Sequence, residues 1–265
     1  MKKSLVLGLA LLVGGTAQAA VIDFEEFGIR GGGTATELLG QNGVSFNTPS
    51  TGDKAGYGTS YFDGMTFADL QSVSFVATNV GGAWMPYMNI WITNGAANPA
   101  DRRWAVIANE PSNAPLNNLL TYDPILYPDG RGYLSNGETV AVNFSDMSYY
   151  VHESNGDTSW LTGLFGGNQI SYASLVAGGW KIDNPNPGTA WGGTGAPKNG
   201  GYGFNFIYGD TMSNYVSTGP YTISNIVING NLEAGAVVPI PAAAPLGLLG
   251  MGLIGLARKL RKKSS

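Results

Sequence analysis

One histidine and no cysteine among 265 residues leave few routes to covalent or metal chemistry. His152 lies between Tyr149-Tyr150-Val151 and Glu153. A general base must stand within hydrogen-bond reach of the nucleophile it serves, and no Gly-x-Ser-x-Gly elbow is present to supply one. A lone histidine without thiolates is too few ligands for zinc, so His152 is expected as a strand-end surface residue. The missing cysteines also remove thiol catalysis and disulfides.

Two other groups could bind rather than react. Asp23, Glu25 and Glu26 cluster early in the chain, and in an extended segment Asp23 and Glu25 share a face. Hard cations take clustered oxygens, which makes Asp23 and Glu25 the candidate calcium ligands and calcium the one cofactor to consider. The plainer reading is a charged edge strand that resists sheet-to-sheet association. Glycosidases use a carboxylate pair, but no Glu-x-Asp-x-x-Glu strand motif occurs, and the chain is expected to be non-catalytic. The second group is aromatic. In Tyr87 to Thr93, Met88, Ile90 and Ile92 take one face of a strand, and Tyr87, Asn89 and Trp91 take the other. With the apolar face in the core, two rings and an amide point outward, a combination suited to sugar rings with apolar faces and hydroxyl edges. The alternative places Tyr87 and Trp91 under the Gly/Pro-rich stretch Pro185 to Gly203. That stretch carries Trp191, a further candidate for glycan contact.

The elements that must position these residues read as strands. Alternation of period two recurs at Ile22/Phe24, Val44/Phe46, Val73/Phe75/Ala77, Met88/Ile90/Ile92, Trp104/Val106/Ala108, Val140/Val142/Phe144 and Phe204/Phe206/Tyr208. Thr222 to Ile228 closes the series. Gly, Asn, Pro and Asp breaks separate the runs, and 40 glycines indicate many turns. Alternation predicts antiparallel strands with one buried and one wet face. Eight or so in one domain predict a sandwich or jelly roll. A turn of helix is expected at Tyr172 to Ala177, and Pro111 to Tyr122 reads as loop or short helix.

The ends are different in kind. Residues 1–19 carry Lys2 and Lys3, an apolar run from Leu5 to Val13, then Ala17-Gln18-Ala19. This is the order of a cleavable signal peptide, too short to span a bilayer. At the other end, Val238-Pro239-Ile240-Pro241 precedes an apolar stretch to Ala257 and the basic residues Arg258, Lys259, Arg261, Lys262 and Lys263. The prolines hold the backbone extended. Ala242 to Ala257, about 24 Å as a helix, suits a short or transient span. The basic end stops transfer and stays cytoplasmic. Between the two ends lie 7 basic and 18 acidic residues, a net −11. Such a body should repel nucleic acid and anionic lipid.

The order of proline motif, short span and basic end over Val238 to Lys263 resembles the PEP-CTERM sorting signal of exopolysaccharide-producing Gram-negative bacteria. The family's motif has Glu between the prolines, where this chain has Ile240. Pro86 to Thr93 and Ile223 to Gly230 are similar to phrases of the β-sandwich domains such proteins carry. The resemblance implies processing by signal peptidase and by an exosortase-type enzyme. It also implies transient anchoring in the inner membrane, and then delivery to the cell surface or extracellular matrix. The expected fold is all-β, a jelly-roll-like antiparallel sandwich over 20–236, with an N-terminal signal helix and a short C-terminal transmembrane helix in the tail 237–265. The expected role is that of a non-catalytic surface or matrix protein, with exopolysaccharide as candidate partner and nucleic acid excluded. The alternatives are a lectin-like glycan-binding module or, third, a polysaccharide-acting enzyme.

Overall fold

The structure, a computed structural model, describes residues 21–79, 84–98, 101–109, 136–152, 159–183, 202–210, 216 and 219–233. The signal segment and the sorting tail lie outside the described residues. Among those described, no helix is long and apolar enough to cross a membrane.

Among the described residues, fifteen short strands form two sheets. The first holds β1 (Val21–Ile22), β3 (Thr34–Glu37), β4 (Val44–Asn47), β6 (Ser72–Thr78), β9 (Thr139–Asn143), β14 (Tyr221–Ile228) and β15 (Asn231–Glu233). The second holds β2 (Glu25–Arg30), β5 (Lys54–Thr59), β7 (Tyr87–Thr93), β8 (Trp104–Ala108), β10 (Tyr149–His152), β11 (Gln169–Ile170), β12 (Lys181–Ile182) and β13 (Phe204–Tyr208). Its main path runs β11-β10-β8-β7-β13-β5-β2, with β12 added beside the end of β7. Every pairing is antiparallel except that of β1 with β15.

Strand β14 is the spine of the first sheet. It pairs with β6 along one side, and with β4 and then β15 along the other. Its register shifts between Ser224 and Val227, where Asn225 takes φ +53°. The backbone groups freed by this bulge are met by the neighbouring turn, because Asn225 N–H and Ile226 N–H donate to the carbonyls of Gln41 and Asn42. Asn229 and Gly230, both at positive φ, close the β14–β15 hairpin as the Asn-Gly pair of a primed turn does.

The core lies between the sheets and is largely aromatic. Phe206 of β13 meets Phe75 of β6 edge to face at 6.0 Å, and Tyr208 meets Phe46 at 5.7 Å and Tyr221 at 4.9 Å. Burying such rings is worth roughly 1.5–3 kcal/mol each, and the paired geometry adds to that. In sheet one the outer face stays wetter along β6 and β9. Val73, Phe75 and Ala77 are buried while the residues between them are only half-buried, and β9 alternates in the same way. The central strands of sheet two do not alternate: β5, β7 and β13 are buried at every position, whereas the edge strand β2 is largely exposed.

Among the described residues, two α-helices border the second sheet, α1 (Ser159–Phe165) and α2 (Tyr172–Gly178). Ser171 caps α2 by accepting from Ser174 N–H, and Gly179 ends it in the left-handed conformation at φ +61°. The expected turn of helix at Tyr172 to Ala177 is thus present. Pro111 to Tyr122 lies outside the described residues.

Candidate functional site

Residues paired directly across an antiparallel ladder share a face, so the register maps the outer face of the second sheet. One row crosses it as Glu25, Gly58, Asn205, Asn89, Ala108 and Tyr150. Tyr87 and Trp91 flank Asn89 on the same strand. For this ring-and-amide group the sequence left two placements open, outward in solvent or covered. It is buried: Tyr87 is 0 %, Asn89 3 % and Trp91 4 % exposed. The reason is that the central strands of this sheet are buried on both faces, so alternation marks two interiors rather than inside and outside. Tyr202 is one described residue lying over the outer face. Its ring occupies the space above Gly58, where an added Cβ would come within 2.7 Å of Tyr202 Cδ2. It packs on Phe27 at 5.6 Å, and its hydroxyl donates to Glu25 Oε2. Burial first, then Glu25 beside it, pushes the Tyr202 phenol well above the usual tyrosine range.

Beneath Tyr202 sit the two amides. Asn205 and Asn89 face each other in register, both 3 % exposed. Asn205 Nδ2 donates to the carbonyls of Tyr202 at 2.9 Å and Asn89 at 3.4 Å. Both partners are acceptors, so the amide cannot be turned round without setting oxygen against oxygen. Its Oδ1 therefore points away from them, over Gly58. Asn205 Oδ1 and Asn89 Oδ1 are both buried without a hydrogen-bond partner. An acceptor left so costs about 1–3 kcal/mol.

The carboxylates proposed for calcium are dispersed in their contacts. Asp23 and Glu25 are exposed, Glu25 is taken by Tyr202, and Glu26 Oε2 accepts Glu37 N–H at 3.1 Å. Burial and then the charges of Glu26 and Asp23 raise the Glu37 carboxyl above its ordinary value. Among the described residues no three His, Cys, Asp or Glu side chains come together as a metal would require. His152 ends β10, with its backbone opposite Val106. Val238, Pro239, Ile240, Pro241, the basic end and Trp191 lie outside the described residues.

Two charged groups escaped the sequence reading. Lys54, 2 % exposed, has its ammonium 4.0 Å from Asp210 and 5.3 Å from the Tyr87 ring centroid, and Arg30 shares Asp210 at 3.3 Å. Lys54 alternates with Gly56 and Gly58, so β5 carried no apolar period to read. Asp63 is the other. Burial, then the charge of Asp183, push its carboxyl up to about 6, although Ser60 and the Gly203 backbone pull it down. Elsewhere a groove of about 550 Å³ runs between the second sheet and α2, lined by Met147, Gln169, Ile170 and Ser171 among uncharged side chains. Its tyrosines serve the fold: Tyr149 OH donates to Phe144 O, and Tyr172 OH to Phe67 O and Leu70 O.

The class defined by these features is a two-sheet, mostly antiparallel β-sandwich whose second sheet has central strands buried on both faces and a buried amide pair on its outer face. No protein-family model, curated protein or solved structure matches the chain.

Proposed function

We propose that this chain is an exported, non-catalytic protein of the cell surface or extracellular matrix, sorted through its C-terminal tail. The observation that carries the reading is the order of that tail: Pro239-Ile240-Pro241, a short glycine-containing apolar stretch, and Arg258 to Lys263 at the terminus. The basic end halts translocation, the short stretch anchors weakly, and the prolines present an extended backbone to a processing enzyme. The resemblance to PEP-CTERM proteins assigns that step to an exosortase-type enzyme, after signal peptidase has acted behind Ala19. The body is then a jelly-roll-like module placed among exopolysaccharide. Its net −11 between the two ends supports a partner that is neither nucleic acid nor anionic lipid. Intact-mass measurement of the surface-extracted protein tests the reading. Loss of the first 19 residues and of the chain beyond the Val238 to Ala244 region is expected. A mature protein that still carries Arg258 to Ser265 would mean a plain anchor.

A second reading, that the body binds glycan directly, is favoured by one observation: two partnerless amide oxygens beside Trp91 and Tyr202. Cosedimentation of the protein with its host's exopolysaccharide tests it, and protein left wholly in the supernatant would refute it.

A further inference from the structure

We propose that Asn89 and Asn205 form a binding site for a neutral saccharide unit, whose hydroxyls donate to the two open Oδ1 atoms. This rests on the glycan-binding reading above and gives it a location and a ligand class.

Two acceptors, not one, are open, and they sit directly opposite each other on β7 and β13. The orientation of Asn205 is set by its two carbonyl partners, so neither oxygen can be relieved by turning that amide. A ligand for this place must bring hydrogen-bond donors. It must not be an anion: both open atoms are acceptors, and Glu25, paired with Gly58 on its other side, adds a carboxylate to the same row. Lys54, the buried cation of the same face, lies four residues along β5 from Gly58, roughly 13 Å at the usual rise, and faces Asp210. An uncharged molecule rich in hydroxyls supplies the donors with no charge to desolvate. The surroundings suit its apolar ring faces, with Trp91 two residues from Asn89 and Tyr202 above Gly58. Glycine at 58 is required by the amide itself, since a Cβ there would collide with Asn205 Oδ1 and lie 2.7 Å from Tyr202 Cδ2. Tyr202 is tied to the exposed Glu25 by its hydroxyl, and it is the described side chain that must yield for a ring to reach the amides.

Ordered water could meet the same two oxygens, and the experiment separates the cases. The full chain and its Asn89→Leu and Asn205→Leu variants are melted with and without cellobiose, maltose, lactose and xylobiose. At least one disaccharide is expected to raise the Tm of the wild type saturably, and the shift should be lost in both variants, which retain the wild-type circular dichroism. A wild type that no disaccharide shifts, or leucine variants that respond equally, would overturn the proposal and leave water at the amides. Should either variant fail to fold, the side-chain amide resonances of Asn89 and Asn205 in the wild type decide: both must move on titration, and unmoved signals overturn the site. Cosedimentation with the host's exopolysaccharide keeps the two readings apart. If the wild type and both variants bind it equally, only this site falls. If the wild type does not bind it at all, the glycan reading falls as well.

Discussion

Replacing Asp63 by Asn should make the protein more stable at neutral pH and leave it unchanged in acid. The folded state holds the Asp63 proton up to about pH 6, because burial and then Asp183 disfavour the charge. The unfolded chain releases it near pH 4, the ordinary range for Asp. Below that, both states are protonated and the group contributes no pH dependence. Between about pH 4 and 6 the folded state binds the extra proton, so stability falls as pH rises. Above about 6 the loss is complete and constant. Each tenfold in proton affinity corresponds to about 1.4 kcal/mol. Asp63 is only partly buried, and solvent screening reduces the full effect to about 1 kcal/mol. That corresponds to roughly 2–4 °C in Tm for a domain of this size. The amide substitution removes the charge, and the buried Oδ1 accepts no hydrogen bond that would be sacrificed. Urea unfolding of wild type and Asp63→Asn from pH 4 to 8 measures the difference directly. The two curves should coincide at pH 4, separate through pH 6 and run parallel above it. Asp183→Asn should close only part of the gap, since burial remains. Parallel curves throughout, or an Asn variant weaker at pH 8 than at pH 4 relative to wild type, would refute the reasoning.

Gly43→Ala should cost about 2–3 kcal/mol by overpacking, because its Cβ would press on the Ile223 carbonyl and lie 2.5 Å from Ser224 Cα, backbone that the β14 bulge holds in place. Gly167→Ala, with nothing within 4 Å, is the near-neutral control in the same thermal melts. Asp210→Ala strips the buried Lys54 of an ion partner and should cost about 3 kcal/mol in urea denaturation; a cost below about 0.5 kcal/mol would mean the ammonium is held adequately by its other neighbours. Millimolar calcium should leave Tm unchanged, since among the described residues no third His, Cys, Asp or Glu joins Asp23 and Glu25 as a metal would require. A saturable rise that disappears in Asp23→Asn would make Asp23 a calcium ligand and refute this.

How much of this was legible beforehand depends on what each strand packs against. In β6 and β9 one face is wet, so the alternation of Val73, Phe75, Ala77 and of Val140, Val142 reads directly as inside and outside. The same rule applied to β7 located the strand and its faces, but not the solvent, because both faces are covered. Composition along a strand says nothing about a layer that arrives from distant sequence. Strand β5 was illegible for a different reason. Gly56 and Gly58 stand where apolar residues would have signalled a face, and they are glycine because the Phe27 ring, the Tyr202 ring and the Asn205 amide occupy that space. The Asn229-Gly230 turn, by contrast, carried a readable signal that predicts the β14–β15 hairpin.

The amide pair shows why a buried face of this kind is a better guide to function than an exposed one. An interior chosen for stability alone would place apolar side chains beside Gly58 and Ala108, as the next positions along the same strands do with Ile207 and Val106. Replacing two amides by aliphatic groups of similar size would remove two uncompensated acceptors at little loss of packing. Folding therefore gives no reason for Asn89 and Asn205 to be asparagine together, beyond the clamp that Asn205 Nδ2 makes to the carbonyls of Tyr202 and Asn89. That clamp explains an amide nitrogen on β13 and leaves the amide on β7 unexplained. A donor arriving from outside the chain accounts for both.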